Sequence, residues 1–162
     1  MSKRTTLPPS STRVLALLGH GARDPAWAEA LLAVRAKIYA RDPACRVKLA
    51  FLAHLPPSLE TLLASLQAEG GVTHVRILPM FIAAGGHLKC DLPARIHCLQ
   101  TQFPQIHIEL AAAIGLSEIV QEAMSEAALH IFRRQSLLQN PTLSGVELRQ
   151  GGKGRSGRPF PA

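Results

Sequence analysis

Two histidines carry the chemistry this chain can do. His20 closes the run Val14-Leu15-Ala16-Leu17-Leu18-Gly19-His20-Gly21, and His87 follows Val75-Arg76-Ile77-Leu78-Pro79 through Met80-Phe81-Ile82-Ala83-Ala84-Gly85-Gly86. Each is an imidazole just beyond an apolar run, with glycine beside it. Imidazole is the commonest metal ligand in proteins, and it exchanges protons near neutral pH. Two of them in one crevice predict divalent-metal chemistry. Arg23 and Lys89 flank these histidines, and Gly85 and Gly86 leave the backbone before His87 open to close approach. Asp91 is the nearest carboxylate on the His87 side, where it also reads as a helix N-cap. Cys90, three residues after His87, reads as a small buried residue rather than a shared ligand.

The elements that must position these residues alternate. Val14–Leu18 is a short apolar run of buried-strand type. Asp24 followed by Pro25 opens a helix to about Ala40, with Ala26, Ala30, Val34 and Ile38 spaced four apart. A second strand is expected over 46–53, a helix over 59–68 ending at Gly70-Gly71, and a third strand over 74–79. A helix over 92–102, a fourth strand over 106–111 and a last helix over 116–134 complete the pattern. The order βαβαβαβα predicts an α/β fold: a four-stranded parallel sheet with helices on both faces. In such a sheet the carboxyl ends of the strands line one crevice. His20 and His87, far apart in sequence, are thereby expected to meet.

Composition narrows the partners. Hydrophobic residues make up 47% of the 162 residues but aromatics only 4%, so the core must be Leu, Ala, Ile and Val, as in a parallel sheet covered by helices. The formal charge of +7 is concentrated at the ends. Residues 1–13 carry Lys3, Arg4 and Arg13 without an acid. Residues 135–162 carry Arg149, Lys153, Arg155 and Arg158 against Glu147. The stretch between is nearly neutral and offers no aromatic platform, so no nucleic-acid partner is expected. Three cysteines, Cys45, Cys90 and Cys98, form no CxxC pair, which fits a reducing cytoplasm. No secretory pattern or membrane-spanning run is read. The expected organisation is a leader over 1–13, a domain over 14–134 and a basic, disordered tail over 135–162.

Three pieces in order resemble a known family, the small single-domain sirohydrochlorin cobaltochelatases of the class II chelatases. They are Gly19-His20-Gly21-Ala22-Arg23-Asp24-Pro25, then Ala50-Phe51-Leu52 with Pro57-Ser58-Leu59, then Leu78 to His87 continuing through Asp91-Leu92-Pro93. The resemblance covers residues 14–134, about three quarters of the 162. It implies a single chelatase-like lobe that pairs as a homodimer. It implies insertion of Co²⁺, with Ni²⁺ or Fe²⁺ as other substrates, into a sirohydrochlorin-type tetrapyrrole, without an organic cofactor. It assigns the metal-binding histidines to His20 and His87. One departure stands out. The family usually places Glu after Phe-Leu at the end of the second strand, where this chain has Ala53 followed by His54. Ala53 can neither bind metal nor accept a proton. His54 can substitute if the strand has already ended; inside a continuing strand it would face away.

Metal insertion requires a hydrated ion to lose water and two pyrrole N–H protons to leave the macrocycle. Neutral imidazoles at His20 and His87 can hold the ion with open positions and then take a proton, a task suited to a base near pH 7. The carboxylates of sirohydrochlorin call for donors such as Arg23, Lys89 and the backbone amides of the helix starting near Ser58. The alternatives are a non-catalytic metal or tetrapyrrole binding protein derived from a chelatase, which Ala53 favours, and an unrelated α/β protein whose basic tail binds nucleic acid.

Overall fold

The computed structural model describes residues 12–83 and 85–139. Four strands form one sheet: β1 (Arg13–Gly19), β2 (Val47–Phe51), β3 (His74–Pro79) and β4 (His107–Leu110). They lie in the order β2-β1-β3-β4 and every neighbouring pair is parallel. The register runs from Leu15 opposite Val47 to Gly19 opposite Phe51, and from Arg13 opposite His74 to Leu18 opposite Pro79. The helices are α1 (Glu29–Arg41), α2 (Leu59–Glu69), α3 (Gly86–Gln102) and α4 (Glu118–Gln139). A 3-10 turn over Pro25–Ala28 leads into α1, and Asp24 caps it by accepting from the Ala26 amide at 2.9 Å.

The strands alternate between two apolar layers, as side chains on a pleated strand must. Val14, Ala16 and Leu18 of β1, with Val75, Ile77 and Ile108, pack against Leu59, Leu62, Leu63 and Leu66 of α2 and Leu92, Ile96 and Leu99 of α3. On the other face, Leu17, Val47, Leu49 and Phe51 pack against Leu31, Val34 and Ile38 of α1. The core is aliphatic apart from Phe51 among its fully buried members, as the composition requires. Truncating a side chain such as Leu63, which is fully buried, is expected to cost about 2–5 kcal/mol.

This layering fixes where a ligand can enter. β1 and β3 are adjacent, yet the chain leaving β1 passes to α1 on one face and the chain leaving β3 passes to α3 on the other. Connections that diverge from neighbouring strands open a crevice at the carboxyl ends, the topological switch point of an α/β sheet.

The expected strands and the second helix agree with the structure to within a residue or two; the first helix, expected from Pro25, has a 3-10 first turn and becomes α-helical only at Glu29, and α3 departs further. It begins at Gly86, not Leu92, with Gly85 as its N-cap. Asp91 therefore lies inside the helix rather than capping it, and Pro93 is an interior residue instead of a starting one. A proline there removes one i→i−4 hydrogen bond; the buried Leu92, Ile96 and Leu99 hold that part of the helix on the sheet. The last helix begins at Glu118 after a 3-10 turn over Ile114–Leu116 and continues to Gln139.

The chain divides into two compact units at Glu122/Ala123. The first holds the sheet and α1 to α3. The described part of the second is helical through Gln139. Residues 1–11 of the expected leader and 140–162 of the expected tail lie outside the described residues. Cys45, Cys90 and Cys98 are free thiols. No described helix is long and apolar enough to cross a membrane.

Candidate functional site

The loops at the carboxyl ends of the strands are laced together through backbone atoms. Leu52 N donates to Gly19 O and Ala53 N to His20 O, both at 3.0 Å, so strand-like pairing continues beyond β2. Met80 N donates to Leu18 O at 2.9 Å, Ala111 N to Ile77 O at 2.9 Å and Gly115 N to Phe81 O at 3.0 Å. The segment after each of the four strands is thus tied to its neighbour.

His20 is the first residue after β1 and is exposed. Its Nδ1 lies 3.1 Å from the Gly21 carbonyl oxygen. A carbonyl only accepts, so in the neutral ring Nδ1 carries the proton and Nε2 keeps its lone pair. Engaging one ring nitrogen to orient the other is the usual second-shell device at metal-binding histidines. Gly21 has φ 82°, and a Cβ there would run into the Ala53 carbonyl oxygen. The loops after β1 and β2 approach so closely only because residue 21 is glycine.

The strand-like pairing beyond β2 runs to Ala53, and a turn at His54 ends the alternation that would turn its side chain away. Leu55 N donates to Ala53 O at 2.7 Å, and His54 between them has φ 63°. That is a γ-turn with positive φ, a rare and strained conformation for a residue with a side chain. It leaves the His54 side chain exposed, one residue beyond the Ala53 amide bonded to His20. The loop then returns to the sheet edge through Phe51 N to Pro57 O at 2.9 Å, and Pro56-Pro57 is a cis peptide. Ala53 has its amide on the His20 carbonyl and its own carbonyl on the Leu55 amide, and its side chain supplies no acid.

His87 lies in the first turn of α3, at the far side of the β1/β3 switch point from α1. The side chains of His87 and Lys89 are outside the described residues. Gly85 precedes the helix with φ −61°, no side-chain cap and open space where a Cβ would stand. Among the described residues, no atom lies where it would meet a Cβ at residue 85. Gly86 is the first helical residue.

The remaining expected residues separate into engaged and available ones. Ser58 caps α2: its Oγ accepts from the Thr61 amide at 3.2 Å and lies 3.2 Å from Thr61 Oγ1. That hydroxyl is already committed, whereas Gly85 at the start of α3 supplies no side-chain cap. Arg23 is exposed and makes no ion pair among the described residues. Among the described residues, no group of three or more His, Cys, Asp or Glu side chains is poised to hold an ion.

Two features were missed from sequence. Arg95 of α3 donates to Glu60 of α2 through Nε at 2.8 Å and Nη2 at 2.7 Å. The Arg95 hydrogen bonds are the chief reason the Glu60 carboxyl falls from its ordinary 4.5 to about 2, and Glu60 raises Arg95 in turn. The pair bridges the helix that follows the His54 loop and the helix that begins beside His87. Thirty-five residues separate the two in sequence, and no local pattern announces them. The second feature is an apolar rim. Gly115 packs so tightly on the Ile82 backbone that a Cβ would collide with it. Ile82, Leu116 and Ile119 nearby are 73%, 58% and 82% exposed.

Comparison with known proteins agrees with this arrangement. The solved structure of a putative cobalamin biosynthesis CbiX protein from Marinobacter aquaeolei VT8 superposes with a TM-score of 0.65 at 26% identity, covering 76% of this chain and 98% of that one. The sirohydrochlorin cobaltochelatase of Methanococcoides burtonii is 24% identical over 122 residues, 70% of this chain and 92% of that protein. The sirohydrochlorin ferrochelatase of Bacillus subtilis is 27% identical over 77 residues, 48% of this chain, and the match spans only 29% of that longer protein. The CbiX family profile matches residues 14–130, which include β1 to β4, both loops carrying His20 and His54, and the start of α3. With its fold and this match, the chain belongs to the CbiX family.

Proposed function

We propose that this protein inserts a divalent metal ion, Co²⁺ in the first instance, into sirohydrochlorin, acting as a homodimer in the cytoplasm. The observation that carries the reading is His20: an exposed imidazole at the switch point, its Nδ1 held by the Gly21 carbonyl and its Nε2 free for a metal.

In this account His20 and His87 hold the incoming ion and leave its other positions to water and then to the macrocycle. Nitrogen ligands favour Co²⁺ and Ni²⁺ over harder ions. As the metal enters the ring, the released imidazoles take up pyrrole protons. His54, on the loop bonded to His20, is the second base and replaces the carboxylate that Ala53 lacks. The uncapped start of α3 attracts substrate carboxylates, with Arg23 and Lys89 as side-chain partners. Ile82, Leu116 and Ile119 form an apolar rim that supports closure by a second copy over the macrocycle. Free thiols at all three cysteines support a reducing compartment.

The test is the absorbance of sirohydrochlorin on adding Co²⁺, with and without protein, repeated with Ni²⁺ and Fe²⁺. Loss of the metal-free spectrum faster than the blank, fastest with Co²⁺, supports the reading. A rate equal to the blank with the tetrapyrrole still bound would replace it with the carrier reading that Ala53 favours.

A further inference from the structure

At the opposite end of the sheet from the histidine crevice, the amino ends of the strands frame a cavity of about 460 Å³. It has no part in the proposed insertion chemistry, and it is built from different residues. Arg13, His74 and His107 open β1, β3 and β4. Arg13 is the register partner of His74, and His74 is the register partner of His107. Register partners in a parallel sheet project to the same face, so three donor-bearing side chains stand in one row across three adjacent strands. The two imidazoles are in edge-to-face contact with centroids 5.2 Å apart.

The charges around the row decide what it can take. Two residues further along the same face, Arg76 is tied to Glu109 at 2.8 Å, so that carboxylate is spent. At the cavity edge Arg46 is bound to Glu69 at 2.6 Å, and Asp42 accepts from the Ala44 amide at 3.1 Å. The Arg13 guanidinium has no acceptor among the described residues. His74 shares Nδ1 with Thr73 Oγ1 at 3.1 Å, which leaves its Nε2 for another partner. The row therefore presents a guanidinium with no ion-pair partner among the described residues beside two imidazoles, while the Asp42 carboxylate at the cavity edge keeps its charge. A metal cation between the rings would sit next to Arg13 and be repelled by it, whereas an oxyanion would be drawn to all three.

We infer that the amino-end cavity is a second ligand site, in which Arg13, His74 and His107 bind a compact oxyanion, a phosphate or a small polycarboxylate. The inference does not depend on the chelatase reading, because no residue is shared between the two sites.

The experiment follows the imidazole NMR signals of His74 and His107 in the full chain. Inorganic phosphate and then citrate are titrated in at constant ionic strength, with chloride as the balancing salt. Saturable shifts of both rings, and a fit weakened roughly tenfold or more in Arg13→Gln, are the expected result. His107→Gln gives the same weakening if the row acts as a unit, and thermal melts of both variants report whether either has lost its fold. Neither variant is expected to alter metal insertion. If only citrate shifts the rings, the site takes carboxylates; if phosphate does so equally, charge and size alone are read. Linear, unsaturable shifts, or binding unchanged in both folded variants, would overturn the inference. So would paramagnetic broadening of the two rings by Ni²⁺ without a response to either anion, which would assign the pair to a cation.

Discussion

The amide of Ala53 donates to the carbonyl oxygen of His20 at 3.0 Å, so the loop after β2 is bonded directly to the backbone of the histidine proposed to hold the metal. Continuing the register of Gly19 opposite Phe51 puts residue 53 opposite Gly21, on the loop bonded to His20. Placing an acid there is the corresponding experiment. Ala53→Glu is expected to raise the rate of metal insertion, by up to about 100-fold if proton removal limits turnover. Steady-state rates with Co²⁺ and sirohydrochlorin check it. An unchanged or lower rate would indicate that His54 already meets the need for a base.

Gly21 permits that pairing. Gly21→Ala forces a positive-φ backbone on a residue with a Cβ and drives that Cβ into the Ala53 carbonyl. A loss of about 1–3 kcal/mol is expected, together with a marked fall in insertion rate as the loops part. Denaturant melts and activity measured on the same sample test both effects. A stable variant with full activity would show that the close approach of the loops is not needed.

The Glu60–Arg95 pair makes stability fall in acid. Glu60 titrates at about 2 in the folded protein instead of 4.5. A carboxyl lowered on folding stabilises the native state above its unfolded value, and this contribution is lost as pH falls from 4.5 towards 2. The side chains are 32% and 42% exposed, which screens the pair, so about 1 kcal/mol is expected at neutral pH. Melting temperatures of Arg95→Gln and the native protein should converge between those pH values. A difference that persists unchanged to the acid end would mean that Arg95 acts through packing alone.

Ile119 is the most exposed large apolar side chain of the rim, at 82%. If two copies close over the macrocycle, Ile119→Asp should shift the mass in solution from dimer to monomer and reduce insertion, while the melting of the remaining monomer stays cooperative. Light scattering after gel filtration reads the first effect. A dimer that survives the charge, or a native protein that is already monomeric, would remove the rim from the account.

The comparison of sequence with structure is instructive at α3. β1, β3 and α2 were legible because their apolar periodicity coincides with the layers they bury. At α3, Asp91-Leu92-Pro93 has the signature of a capped helix start, and Gly85-Gly86 that of a loop. Yet the helix begins at Gly86, and packing of Leu92, Ile96 and Leu99 on the sheet outweighs the interior proline. As a result His87 stands in a helical first turn rather than in a loop. His20 was legible from strand, glycine and histidine in succession. The γ-turn at His54 was not, because positive φ is not signalled by a histidine. Nor was the row of Arg13, His74 and His107, which exists only through strand register.

In the proposed reaction, His20 and His87 act on one metal ion. The most direct measurement is the rate of Co²⁺ insertion into sirohydrochlorin by the native protein, His20→Ala, His87→Ala and the double variant. Residues that act as a unit are not additive. Each single change is expected to cost about 100-fold or more, with the double variant scarcely worse than either. Independent, multiplying losses would contradict a shared ion, and full activity in the double variant would remove both histidines from the mechanism.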